Sequence, residues 1–364
     1  LRSRNAKVPV VAMGAILLSL FVVTWGAAVS GQLFPASINR FADAFGFFVL
    51  ARGSIAGDTL PFLVDIPSML LAIVIPASLA TVYALFVHAA TLHSKMVANR
   101  CLQPTPTGAA AFSAQVEILN AKFTAFGRFS VLAFILSVAL AMLICLSQTS
   151  SPLIDSPDYV FGTSWWASFT PFRPAGVVWS VLGGVGIYTV YVEAVLGLHY
   201  RRFLRAMRDT YQFRGNPYNP DGYFGWRSLR SIITNLELGI VLTAITIWSM
   251  WHFLAGPFSL PVAGSVLSFF AILVGYVFFG VTSSLRTQVE ADKTRQILEL
   301  QAAVETAGSS EERDKLASYR KLEMVQAMPS IPVRRASTFA LYLALLVPVL
   351  EIARSISSAI IGSP

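Results

Sequence analysis

Four ionisable residues stand inside stretches that are otherwise apolar: Glu193, Glu237, Glu351 and Arg354. Ionisable side chains within a bilayer are costly and mark proton relays, ion paths or buried pairs. Glu193 precedes His199 by about six residues, and Glu237 follows Arg230 by a similar distance. The pattern predicts two carboxylates at one depth on neighbouring spans, with Thr234 and Asn235 contributing to one polar pocket. Such a pair suits a bound cation or a proton. Both ionised at 4 Å, the two would repel by ~4 kcal/mol even at an effective dielectric of 20, and a carboxylate among apolar neighbours tends to take up a proton. The competing reading has Glu237 capping near the interface and Glu193 paired with a loop arginine such as Arg201 or Arg230. Glu351 and Arg354 lie three apart on one helix face and read as a structural ion pair.

Other chemistry is sparse. His88, His93 and His199 gather near the cytoplasmic ends of two spans, and haem or zinc uses such nitrogens. The five-residue offset of His88 and His93 does not put them on one face, so interfacial polar contacts are expected, with no metal and no cofactor. Gly183, Gly184 and Gly186 permit close helix approach or local unwinding. There is no HExxH, no phosphate-binding glycine loop and no CxxC, and Gly264-Ser265 has no assignable base. No catalytic set is visible, and the reading leans away from an enzyme.

The elements that must position these residues follow from composition. Of 364 residues, 55% are hydrophobic and only 13% charged, about half the ~25% of average proteins. Mean hydropathy is +0.64. This excludes a soluble enzyme, a disordered chain or a disulfide scaffold, and predicts an all-α, polytopic transmembrane bundle. Charge-free runs long enough to span, ~20 residues, give Val8 to Val29, Ile66 to His88 with Pro76 inside and Phe129 to Ser147, and Ala175 to His199 reads as a span with Glu193 inside it. Two more follow between Glu237 and Arg286, divided by Gly256-Pro257 and Pro261. A last one runs from Ser337 to Ile361 and spans or re-enters. Seven spans with the N-terminus inside leave only Arg40, Arg52, Arg173 and Arg354 outside among 27 Lys and Arg. That is a positive-inside bias, and it accounts for the net charge of +8 without nucleic acid. Trp25, Trp165, Trp166, Trp179, Trp248 and Trp251 fall at outer ends, as an aromatic belt requires. Cys101 and Cys145 are expected at opposite membrane ends, as free thiols.

The loops carry their own signals. Phe41 to Leu50 is apolar and aromatic and is expected in the interface. The Trp165-Trp166 loop is expected to anchor there or to pack over the outer mouth. The fourth span continues as HYRRFLRAMRD, where Arg201, Arg202, Arg205 and Arg208 serve topology and anionic-lipid contacts. Asn216 to Trp226 reads as a packed turn. Residues 286–335 read as a cytoplasmic helical hairpin broken at Gly308, with stripes Ile297, Leu300, Val304 and Leu316, Tyr319, Leu322, Val325. This divides the chain into a transmembrane domain (1–285), the hairpin (286–335) and a last span (336–364).

NPDGYFGW (Asn219 to Trp226) resembles a His-Pro-Asp-Gly-x-Gly-Gly-type turn of uncharacterised bacterial multi-pass membrane proteins. MPSIPV (Met328 to Val333) is similar to a Met-Pro-x-x-Pro element found with it. Asn219 replaces the His and Phe224 a Gly. The resemblance implies bacterial membrane origin and no chemistry. The expected function is an inner-membrane channel or transporter-like conduit with a cation or proton site on the fourth and fifth spans. The alternative is a non-transporting scaffold or effector whose hairpin, 286–328, binds a cytoplasmic partner or a second copy. Besides these, the bilayer is the expected partner.

Overall fold

The computed structural model describes residues 7–35, 38–48, 60–104, 108–150, 165–216, 218–219, 223–254, 280–306 and 312–327. Among these the chain is mostly helical: α1 (Lys7–Val29), α2 (Ile38–Phe48), α3 (Ile66–Ala98), α4 (Gly108–Ser150), α5 (Pro174–Thr210), α6 (Arg227–Leu254), α7 (Gly280–Thr306) and α8 (Glu312–Gln326). Val10–Val29, Ile66–Ala98, Pro174–Thr210 and Arg227–Thr246 are long and apolar enough to cross a membrane, and Ser130–Leu146 is a shorter apolar stretch within α4. The expected span after Pro261, the last span with Glu351 and Arg354, and the Pro220-Asp221-Gly222 and Met328 to Val333 motifs lie outside the described residues. Val10, Leu18, Phe21, Val131, Ile135 and Leu143 are all more than half exposed. Apolar surface on that scale is compatible with a protein that sits in a membrane.

Several helices outrun the apolar runs that announce them. α3 continues from His88 to Ala98, and α4 begins at Gly108, well before Phe129. The hydrophobic run marks only what lipid must cover. The alanine-rich and straight-chain residues beyond it keep helical propensity in water. α5 runs unbroken through its glycines and on through the arginine extension to Thr210. The glycines therefore serve packing. A Cβ at Gly184 would lie 2.6 Å from the Val138 backbone, so its absence is what lets α4 and α5 lie against each other. α6 packs chiefly along α3, and α1 also rests on α3.

Two apolar cores sit at opposite ends. At one end Trp165, Trp166 and Trp179 pack with Leu60, Phe62 and Leu71. These tryptophans are buried rather than set in a lipid belt; Trp25 remains exposed. The cause is Asp65. It caps α3, accepting from Ser68 N at 3.1 Å and Ser68 Oγ at 2.5 Å. Its Oδ2 also accepts from the indoles of Trp165 at 2.8 Å and Trp166 at 2.9 Å. Two indoles that reach one buried carboxylate have no reason to seek headgroups. Arg173, which precedes α5, donates to the Trp165 carbonyl, and Trp166 N donates to Leu60 O at 3.0 Å.

At the other end a short antiparallel ribbon joins β1 (Leu102–Pro104) to β2 (Tyr211–Phe213), with Leu102 opposite Phe213. Phe213 stacks on Trp226 at 5.7 Å. The ribbon ties the exit of α3 to the exit of α5, which the spacing of apolar residues did not announce. Cys101 lies here and Cys145 in the Trp core; both are buried and neither forms a disulfide. α7 and α8 pack on each other on either side of residues 307–311, as a hairpin requires. Val325 is buried, whereas Leu316 and Tyr319 are more than half exposed.

The Asp65 cluster gives the first expectation. Trp166→Phe removes one hydrogen bond to a charged acceptor and should cost about 1.5–3 kcal/mol. Asp65→Ala strands two buried indole N–H groups and should cost more than either tryptophan change alone. Unfolding of the purified protein in mild detergent measures both. Equal stability of wild type and Asp65→Ala would mean that the cluster does not hold this end together.

Candidate functional site

Buried hydroxyls in the spans mostly satisfy themselves. Thr81 donates to Ala77 O, Ser137 to Ala133 O, Ser180 to Gly176 O, Thr189 to Val185 O and Thr246 to Leu242 O, at 2.7 to 2.9 Å. Each reaches the carbonyl four residues back, the usual resort of a serine or threonine in a helix interior. Thr243 on α6 departs from this. Its Oγ1 donates across to Oε2 of Glu193 on α5, at 3.1 Å.

Glu193 is buried at 9% exposure. Its carboxylate lies over Gly239, one helical turn before Thr243, so closely that any Cβ there would overlap it. The seat thus has a floor of bare backbone and a wall bearing one hydroxyl. Among the described residues Thr243 is the only side chain that hydrogen-bonds Glu193, and no basic side chain lies within ion-pair distance of it. The expected alternative partner, Arg201, is half-buried two turns further along α5.

Glu237 is also buried, at 2% exposure. It stands two residues before Gly239, and at 3.6 residues per turn that is roughly 160° around α6. The groups that Glu193 touches are therefore on another face of α6 from Glu237. Asn235 is half-buried and Thr234 exposed. The structure brings Glu193 together with Gly239 and Thr243, which the sequence did not single out. A hydroxyl four residues after a glycine on an apolar helix is a weak signal, since five comparable hydroxyls bond back to their own helix.

The arginines divide by face. Arg202, Arg205 and Arg208 are exposed, Arg208 pairing with Asp209 at 2.8 Å. Leu204 and Met207 between them, and Thr210 after them, are buried. His93 and His199 line one cavity, and His93 Nε2 lies 3.2 Å from the Tyr211 hydroxyl. His88 is half-buried and outside that lining. No group of three or more metal-binding side chains occurs among the described residues.

A second polar cluster lies outside the spans. Asp292 on α7 is buried and accepts from Gly215 N at 2.8 Å and Gln296 Nε2 at 2.7 Å. Gln296 also donates to Gly215 O at 3.1 Å, and Arg214 reaches Glu299 at 3.4 Å. α7 is thereby tied to the chain leaving β2. Burial pushes the Asp292 carboxyl above its ordinary value of 3.8, and its hydrogen bonds and the nearby Arg214 and Arg295 oppose this.

Comparison with protein-family models, with curated proteins and with solved structures finds no match to this chain.

Two expectations follow from these contacts. Gly239→Ala forces a methyl into the Glu193 carboxylate, and overpacking of this kind costs about 1–3 kcal/mol; Thr243→Val should cost about 0.5–1.5 kcal/mol. If both variants melt like wild type in detergent, the seat is not as tight as described. The raised Asp292 value has a definite sign. The folded chain holds this proton more firmly than the unfolded one, so the contribution to stability is full below pH 3.8 and is lost as pH rises through the folded value. Asp292→Asn should therefore flatten the decline of melting temperature over that interval, and an unchanged pH profile would contradict the assignment.

Proposed function

We propose that the chain is a multi-pass protein of the bacterial inner membrane, its N-terminus cytoplasmic, that moves protons or small cations, with Glu193 as the group that binds and releases them. The observation that carries this reading is the seat of Glu193. A carboxyl sunk between two spanning helices, with one hydroxyl as hydrogen-bond partner and no cation within reach among the described residues, is expensive as mere structure. Replacing it by an apolar side chain of similar volume would remove that cost. A group of this kind exchanges a proton or an ion with its surroundings, and intramembrane carboxylates in pumps and transporters do so. Support for the orientation comes from the distribution of Lys and Arg. Support for a bacterial origin comes from the likeness of the Asn219 to Trp226 turn.

Glu237 enters this reading as a second buried acid on α6, on another face, that a moving ion would meet at a different step. Asn235, half-buried two residues earlier, is its nearest polar neighbour in sequence. Glu351 and Arg354 keep their reading as a structural pair.

The exposed apolar side chains of the hairpin, Leu298, Leu316, Tyr319 and Met324, favour one addition. The hairpin is a surface for a cytoplasmic partner or a second copy, and this role stands beside transport or, in the scaffold reading, replaces it.

Flux in proteoliposomes separates the two. With a pH gradient imposed, wild type should carry current or acidify the lumen. Glu193→Gln, which keeps size and hydrogen bonding but not the charge, should lower the rate roughly tenfold or more, a factor worth about 1.4 kcal/mol. Full flux in a folded Glu193→Gln protein would refute the role given to this residue. No flux in wild type, together with an assembly that disperses in Leu316→Asp with Tyr319→Asp, would leave the scaffold.

A further inference from the structure

The polar cluster around Asp292 leaves part of its hydrogen-bonding capacity unused, and the unused part faces a cavity. Asp292, Arg295, Gln296 and Glu299 recur at the spacing of one face of α7. That face lies across the β1–β2 ribbon, with a cavity of about 180 Å³ between them. Gln103 and Gln212 stand opposite each other in the ribbon, so their side chains leave the same side of it and form the other wall. Phe213 and Arg214 complete the lining. Phe213 is held in its stack on Trp226, and Arg214 is paired with Glu299 at 3.4 Å.

Asp292 is only 4% exposed. Both hydrogen bonds it accepts, from Gly215 N and Gln296 Nε2, go to Oδ2. Oδ1 accepts none among the described residues and is not sealed off; it opens on the cavity that Asp292 lines. Arg295 acts on Asp292 through space, yet the two form no ion pair, although residues three apart on a helix have Cβ atoms only ~5–6 Å apart. The ribbon amides of Gln103 and Gln212 are exposed to the cavity. The available groups are thus one carboxylate oxygen, one guanidinium and two primary amides.

Charge narrows the occupant. Arg214 and Glu299 neutralise each other, which leaves one charge of each sign. A simple anion at Arg295 would meet Asp292 one turn away. A metal ion at Asp292 would meet Arg295, and no group of three or more metal-binding side chains occurs among the described residues. An uncharged sugar would leave both charges without a partner. A zwitterion pairs both, and an ammonium at Oδ1 offsets the cost of burying that carboxylate. A quaternary ammonium has no N–H to donate. The volume is below the roughly 300–1,000 Å³ of sites for drug-sized ligands, so the occupant is small.

We infer that this cavity binds a free α-amino acid with an uncharged polar side chain, its carboxylate on Arg295, its ammonium on Asp292 Oδ1 and its side chain between the amides of Gln103 and Gln212. The site does not depend on Glu193 and stands whether or not the chain conducts.

The full chain, purified in mild detergent, is titrated by calorimetry with four probes. They are L-glutamine, glutaramate, which lacks the ammonium, γ-aminobutyramide, which lacks the carboxylate, and inorganic phosphate. Wild type should bind one glutamine per chain, about tenfold or more tighter than either truncated analogue or phosphate. Arg295→Gln should weaken glutamine about tenfold and leave γ-aminobutyramide unchanged. Asp292→Asn should weaken glutamine about tenfold and leave glutaramate unchanged. A purely structural role would weaken all ligands alike, and that result overturns the assignment. So does phosphate binding tighter than glutamine, or no binding by wild type of glutamine, asparagine, serine or threonine. Should Asp292→Asn not fold, Arg295→Gln, which alters an exposed side chain, decides by the same comparison.

Discussion

A helix that enters a bilayer must bring its own hydrogen-bond partners, because lipid offers none. The backbone meets this by being helical. Side chains meet it one by one, and how each does so separates scaffold from site in this chain. Most buried hydroxyls return their proton to the carbonyl four residues back. Asp65 collects a backbone amide, a hydroxyl and two indoles. Glu193 meets the requirement with a single hydroxyl borrowed from another helix.

The two ends of the bundle are closed by different means. At the Asp65 end a carboxylate gathers aromatic loops onto a helix start, where the positive end of the helix dipole also favours it. At the other end a three-residue ribbon, the Phe213–Trp226 stack and the Asp292–Gln296 clamp bind the exits of α3 and α5 to α7. Between these closures α5 and α6 meet over a short seam, and Glu193 lies in it. A carboxyl at a lightly packed seam between well-anchored ends is placed where small movements of α6 against α5 would change its surroundings most.

Much of the helical framework was legible in the sequence because lipid imposes a simple rule on composition. Charge-free runs marked α1, α3, α5 and the apolar part of α4, and the GSS break separated α7 from α8. The ends of α3 and α4 were not legible, since beyond the membrane nothing forces an apolar pattern. The depth of Glu193 was visible, as an acid in an apolar run must be. Its partners were not. Side-by-side packing of successive spans suggested Glu237, but α6 lies mainly along α3, and what faces Glu193 is a glycine and a threonine. Asp65 stands just before the run that begins at Ile66. The Asp-x-x-Ser spacing of Asp65 and Ser68, with Pro67 between them, is a cap signal, but no pattern in one sequence says that Trp165 and Trp166, a hundred residues on, return to it.

The role proposed for Glu193 requires that it exchange a proton inside the bilayer. Infrared difference spectroscopy of the protein in lipid, recorded across a pH titration, reads this directly through the carboxyl C=O stretch. A band that responds reversibly to pH is expected in wild type, shifted in Thr243→Val with loss of the hydrogen bond and absent from Glu193→Gln. A wild-type spectrum with no responsive buried carboxyl, or a responsive band that persists unchanged in Glu193→Gln, would contradict it.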